Sequence, residues 1–296
     1  MMKKIIQLIS LFVLAVTLLT SCKQKTESGF TEINGTKLYY EMSGEGTPMI
    51  FLHGFACDHS NWENQVKYFS KKFKVITYDM RGFGKSTVPD TVQYSHETDL
   101  EALMDFLKID KAVLVGHSLG GIPSFYFTLD YPDRVKALIL GEGGGLTKEM
   151  FKKKYKNLFE ELGKATIVAK ESGIEAAKET WLNMTILKPA IANPLSKEKL
   201  MKMTNDYSGW HWIQKDPEKY YKILELEELS EIKVPTLLMV GENSLSEYQE
   251  LSDITQDYIK DSKKVIIKNS GHMLNLENPE QFNEEIELFL NENNIK

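Results

Sequence analysis

From Phe30 onward the apolar residues follow two different rhythms. Phe30 to Ile33 and Lys37 to Met42 alternate in short segments around Asn34-Gly35. That dipeptide suits the left-handed backbone of a tight turn, so the stretch predicts an antiparallel hairpin. The apolar residues then come in compact β-branched runs: Pro48 to Leu52, Lys74 to Tyr78, Lys111 to Val115, Val135 to Leu140, Pro235 to Val240 and Lys264 to Ile267. Runs of this length without alternation suit strands buried on both faces of a parallel sheet. Helix-length stretches lie between several of them, at Asn61 to Phe69, Glu97 to Leu107, Leu119 to Leu129 and Pro279 to Leu290. In the last of these, Phe282, Ile286, Phe289 and Leu290 share one face at helical spacing. The alternation predicts an α/β fold, a mostly parallel sheet covered by helices on both sides.

One interval breaks the alternation. The residues between the runs ending near Leu140 and starting near Pro235 contain no convincing strand pattern and carry Trp181, Trp210 and Trp212, three of the four tryptophans. They read as a helical lid inserted between two strands, a common place for a substrate pocket. The expected organisation is a core of residues 30–142 and 230–296, with a lid of residues 143–229.

The chain of 296 residues has 42% hydrophobic and 26% charged residues, which suits a soluble globular core and excludes a disordered or disulfide-stapled chain. A net charge of −6 leaves no basic field for a polyanion, so no nucleic-acid partner is expected. Its two cysteines, Cys22 and Cys57, are too far apart for a Cys-x-x-Cys motif, and Cys57 is expected to be a small buried residue. Cys22 follows Lys3, Lys4, an apolar run from Ile5 to Leu19, and Leu19-Thr20-Ser21. This start resembles the signal and lipobox of bacterial lipoproteins. The resemblance implies cleavage after residue 21, acylation of Cys22, and a polar tether over residues 22–29. The protein is then expected outside the cytoplasm, in the bacterial cell envelope, held to a membrane by its acyl chains.

The chemistry centres on Gly116-His117-Ser118-Leu119-Gly120, between the run Ala112 to Val115 and a helical pattern. A serine on such a strand-to-helix turn is forced outward at the end of the sheet, and the helix start points N–H groups at the same spot. Its hydroxyl needs a base. Of six histidines, His272 is favoured, because Asn269-Ser270-Gly271-His272 follows the last strand-like run. His53-Gly54-Phe55 follows another strand, and the N–H groups of Phe55 and Leu119 can together form an oxyanion hole. His53 is expected to be structural. The spacing of His53, Asp58 and His59 matches no zinc signature, and no metal or cofactor is called for.

With these pieces in order, the sequence resembles the capped, esterase-like branch of the α/β-hydrolase-fold serine hydrolases. Trp62, Asp79-Met80-Arg81-Gly82-Phe83-Gly84-Lys85-Ser86, Pro132-Asp133-Arg134-Val135 and Glu277-Asn278-Pro279 extend the resemblance over the rest of the chain. It implies Ser118 as nucleophile, His272 as base, Phe55 and Leu119 as oxyanion donors, and structural roles for Asp79 and Arg81. Dehalogenases and epoxide hydrolases of the family carry aspartate where this chain has Ser118.

One position departs. The family's usual Gly-x-x-Asp loop, whose aspartate orients the histidine, reads Gly241-Glu242-Asn243-Ser244 here. Glu142, after the strand next to the nucleophile strand, matches the acid position of some relatives and is the favoured third member, with Glu242 and Glu247 as rivals. The expected function is hydrolysis of a carboxylic ester or related acyl substrate with an apolar part. The alternative is a lipid-anchored binding protein that has lost turnover, a reading supported by Ser244.

Overall fold

Side chains of a strand alternate between the two faces of its sheet, and here both faces are covered. Met49, Phe51, Val113, Val115, Ile139 and Met239 form one buried layer with Trp62, Phe282 and Ile286. Their neighbours Ile50, Leu52, Leu114, Leu138 and Leu140 form the opposite layer with Leu100, Leu103 and Phe125. Each large side chain so buried contributes about 1.5–3 kcal/mol, which accounts for the unbroken apolar runs in the sequence.

The computed structural model describes residues 26–296. The signal segment and Cys22 lie outside the described residues. The strands are β1 (Glu27–Ile33), β2 (Thr36–Ser43), β3 (Pro48–Leu52), β4 (Lys74–Tyr78), β5 (Ala112–His117), β6 (Val135–Gly141), β7 (Thr236–Gly241) and β8 (Ser262–Ile267). They form one sheet in the order β1-β2-β4-β3-β5-β6-β7-β8. The β1–β2 and β2–β4 pairs are antiparallel, and the rest are parallel. Register sets Leu52 level with Gly116, His117 with Gly141, Gly141 with Met239, and Gly241 with Ile267. The loops leaving five strands therefore emerge together at one edge, where open α/β sheets place their ligands.

On the sheet lie α1 (Glu63–Phe69), α2 (His96–Phe106) and α3 (Gly121–Asp130). Between β6 and β7 come α4 (Lys156–Ser172), α5 (Ile174–Leu182), α6 (Lys188–Ala192), α7 (Pro194–Asp206) and α8 (Trp210–Ile213), with no strand. The rings of Trp181 and Trp212 lie 5.2 and 6.0 Å from that of Phe55, which puts these helices over the loop after β3. The chain closes with α9 (Ser246–Tyr258), α10 (Leu274–Glu277) and α11 (Pro279–Glu292).

Two differences from the sequence reading have physical causes. β1 starts at Glu27, inside the stretch read as tether, because its first residues are exposed and polar and leave no apolar signal. Helix α9 lies where the sequence predicts none. None of its residues is fully buried, and its apolar face is only Tyr248, Leu251, Ile254 and Tyr258.

Candidate active site

At the end of β5 the backbone turns sharply. Ser118 has φ 51°, a left-handed conformation that costs a non-glycine residue about 1–3 kcal/mol. It bends the chain from strand into the 3-10 turn Ser118–Gly120 and then into α3. A Cβ at Gly120 would lie 2.2 Å from the Leu52 carbonyl oxygen, so only glycine lets this turn press against the end of β3.

The hydroxyl of Ser118 lies 2.9 Å from His272 Nε2. With that hydroxyl donating to Nε2, the ring proton sits on Nδ1, and Nδ1 faces Glu142 Oε2 at 3.5 Å. This is an ion-pair distance rather than a hydrogen bond, and among the described residues neither atom has a hydrogen-bond partner. Such contacts are often long before substrate binds. Glu142 leaves β6 with φ 56°, a second strained position, and its side chain is fully buried. Its Oε1 accepts from Gly241 N–H at 2.7 Å and from the Ser244 hydroxyl at 2.5 Å. The rivals face elsewhere: Glu242 accepts from Lys268 Nζ and Asn269 N–H, while Glu247 accepts from the Ser246 hydroxyl. The structure thus brings Ser118, His272 and Glu142 together and leaves Glu242 and Glu247 outside.

The third strand end supplies the turn expected to bind an oxyanion. Phe55, Ser118 and Leu119 line one cavity. A Cβ at Gly54 would lie 2.9 Å from His117 Nδ1 and 3.5 Å from Ser118 Cβ, so the turn needs glycine to come this close to the nucleophile. His53 is wholly buried, with Nδ1 2.8 Å from the Gly54 carbonyl and Nε2 accepting from Met80 N–H.

Two residues quoted in the sequence only as parts of motifs hold the base loop. His117 Nε2 donates to the His272 carbonyl at 2.7 Å. Burial, reinforced by His272, pushes its pKa down to about 3, so it stays neutral. Glu277 accepts the N–H groups on either side of the base, from Gly271 at 2.9 Å and Met273 at 3.0 Å. Burial raises its pKa even though those two bonds oppose the shift.

Asp79 and Arg81 brace the loop after β4. Arg81 makes a buried two-pronged contact with Asp99, and Asp79 accepts from the His59 and Lys85 N–H groups. Asp58, His59 and Asp79 could each direct one ligand atom to a common point. They are bonded among themselves and to the backbone, with His59 Nδ1 2.8 Å from Asp79 Oδ1 and Asp58 Oδ1 accepting from Ser60 N–H. Cys57 is buried, and burial raises its thiol pKa.

Ser118 and His272 open on a cavity of about 390 Å³. Its walls come from the β6–β7 helices, including Leu158, Trp181 and Trp212, and from Tyr248 and Leu251 of α9. Among the described residues, no lysine or arginine lines it, and its only carboxylate is Glu142. His211 on the wall does not supply a cation either. Burial, with His96 and His53 adding to it, lowers its pKa to about 3, and its Nδ1 lies 2.7 Å from the Tyr207 hydroxyl.

A strand-turn-helix serine paired with a histidine at the carboxyl edge of a parallel sheet is the arrangement of a hydrolase site. The profile of the alpha/beta hydrolase fold family matches residues 47–279, and the chain belongs to that family and is a hydrolase of that fold. It is 26% identical over 272 residues to the 2-hydroxy-6-oxo-6-(2'-aminophenyl)hexa-2,4-dienoic acid hydrolase of Metapseudomonas resinovorans, a match covering 88% of this chain and 90% of that one. It is 25% identical over 292 residues to epoxide hydrolase 4 of Homo sapiens, with 89% and 78% covered. A solved N-acyl homoserine lactone degrading enzyme superposes with a TM-score of 0.69 and 30% identity, over 88% of this chain and all (100%) of its own.

Proposed function

We propose that this hydrolase cleaves a neutral carboxylic ester or lactone with an apolar acyl part, through an acyl-enzyme on Ser118. The observation that carries the reading is the pairing of Ser118 with His272 at 2.9 Å, at the mouth of a cavity without a cation. Ser118 Oγ attacks the carbonyl carbon while His272 Nε2 takes the hydroxyl proton. The imidazolium so formed faces Glu142, and the N–H groups of Phe55 and Leu119 receive the oxyanion. Collapse of the tetrahedral adduct breaks the bond to the leaving oxygen, which takes the proton from His272. Water then repeats the sequence and frees the acid.

The cavity wall narrows the choice among the relatives' substrates. An acid such as the one named for the Metapseudomonas resinovorans relative would bring a negative charge into the cavity without a counter-ion, at a cost of several kcal/mol. The aspartate nucleophile of the family's epoxide hydrolases is replaced here by Ser118. An N-acyl homoserine lactone, the substrate named for the solved relative, meets neither obstacle where its acyl chain is uncharged. The binding-protein reading has Ser244 in place of an acid as its support, and Glu142, 3.5 Å from His272, weighs against it.

We also propose export and a lipid anchor at Cys22, which would hold the enzyme in the bacterial cell envelope. This rests on the sequence of residues 1–22. Among the described residues, no helix is long and apolar enough to cross a membrane.

The substrate reading is tested with two p-nitrophenyl esters of equal chain length, the hexanoate and the half-ester of adipic acid. We expect kcat/KM to favour the hexanoate by at least about a hundredfold. Equal values would overturn the neutral-substrate reading.

A further inference from the structure

We propose that Ser244, which occupies the family's usual acid position, is a positioning residue that orients the Glu142 carboxylate toward His272. The inference rests on the reading of Ser118, His272 and Glu142 as a catalytic relay, and goes beyond it.

The terminal torsion of a glutamate is broad and roughly two-fold, so a carboxylate on its own has no preferred plane and no preferred oxygen. Glu142 is not free in this way. Two donors from different positions converge on Oε1, the Gly241 N–H at the end of β7 and the Ser244 hydroxyl three residues later. They fix the plane of the group and leave Oε2, which has no hydrogen-bond partner among the described residues, facing His272 Nδ1 at 3.5 Å.

The Ser244 donor is itself held in place. Its turn is closed by Ser244 N–H to the Gly241 carbonyl at 3.2 Å. The same turn is tied to the base loop by Asn243 N–H to the Ser270 carbonyl at 2.8 Å, and to β8 by Glu242 N–H to the Ile267 carbonyl at 2.9 Å. Carboxylate, turn and base loop are therefore one braced unit, and displacing the Ser244 turn displaces the frame that carries His272.

The two positions are also chemically matched. With the acid at 142, an aspartate at 244 would set a second carboxylate against Oε1, and two like charges this close cannot both be ionised. Serine is small enough for the 2.5 Å contact and supplies the proton that an anionic Oε1 needs. Serine in place of the usual acid is thus compatible with a working relay through Glu142, rather than a sign of lost catalysis.

The test measures kcat and KM on p-nitrophenyl butyrate for wild type, Ser244→Ala, Ser244→Thr, Ser244→Val, Glu142→Gln and the double variant Glu142→Gln/Ser244→Ala. Ser244→Ala is expected to lower kcat about tenfold with KM changed less than about twofold, since the lost bond acts on the base and not on substrate. Ser244→Thr should retain near wild-type kcat, and Ser244→Val, of the same shape without a hydroxyl, should match the alanine variant. That pair carries the comparison if Ser244→Ala does not fold. In the Glu142→Gln background, removing the Ser244 hydroxyl should cost no further activity, because the two act as one unit. Wild-type kcat in both Ser244→Ala and Ser244→Val, or an additive loss in the double variant, would overturn the proposal while leaving the relay standing. A fully active Glu142→Gln would overturn the relay and the proposal with it.

Discussion

Replacing Glu142 by glutamine changes one atom and almost no volume, so its effect can be worked out from the bonds around it. If the amide oxygen keeps the Gly241 and Ser244 donors, the amide NH2 must face His272 Nδ1. Two donors then oppose each other, and the ring relieves the conflict by moving its proton to Nε2. That nitrogen can no longer accept from Ser118. In the other orientation the NH2 faces the Gly241 N–H, which loses its acceptor in a buried site at about 1–3 kcal/mol, while the Ser244 hydroxyl turns to accept from the amide. Both orientations remove the negative charge that the imidazolium faces. A wrong tautomer of this kind lowers kcat by about 10⁴ in the well-studied serine protease triad, equivalent to about 5.5 kcal/mol of barrier. We expect a loss of about 10³–10⁴ here. The assay is steady-state kcat on p-nitrophenyl butyrate at pH 7.5, with a thermal melt to establish that the variant is folded. A loss below tenfold in a folded Glu142→Gln protein, or a dead Glu242→Gln or Glu247→Gln, would refute the assignment.

Two further predictions concern other parts of the chain. His117 and His211 are held down to about 3 by burial, whereas an unfolded histidine titrates near about 6.5. Their contribution to stability is full above about 6.5 and is lost as pH falls toward about 3, because the unfolded chain binds the protons first. The urea midpoint should fall between pH 7 and pH 4.5, and less steeply in His211→Phe, which keeps the ring stacked 4.3 Å from Phe83; equal slopes would contradict this. At the N-terminus, Cys22→Ser should leave the membrane fraction or stay uncleaved, and mass spectrometry should find acyl chains on wild type alone. Wild-type protein that is unacylated and starts at another residue would remove the anchor.

What the sequence disclosed and what it hid follow from how each feature is encoded. Ser118, His272 and the Phe55 turn are local signals, each a reactive or turn-forming residue directly after a run buried on both faces. Glu142 is legible only through the resemblance, because some relatives carry the acid after the strand beside the nucleophile strand, which is where Glu142 lies. Its bond to Ser244 spans 102 residues and joins two loops that meet only because β6 and β7 lie side by side, so no pattern in either loop announces it. The same holds for Glu277, whose carboxylate folds back on the amides beside His272. Helix α9 escaped for a different reason. It walls a cavity rather than filling a core, and its half-buried face carries too little apolar surface to give a helical rhythm.

The central claim is that Ser118 is an activated nucleophile, and covalent labelling tests it most directly. Intact-mass spectrometry after treatment with a fluorophosphonate should show one adduct per chain, mapping to the peptide that contains Ser118, and none in Ser118→Ala. In His272→Ala the labelling rate should fall by several orders of magnitude, because no base remains to take the proton. A wild-type chain that stays unlabelled, or an adduct that persists in Ser118→Ala, would contradict the account.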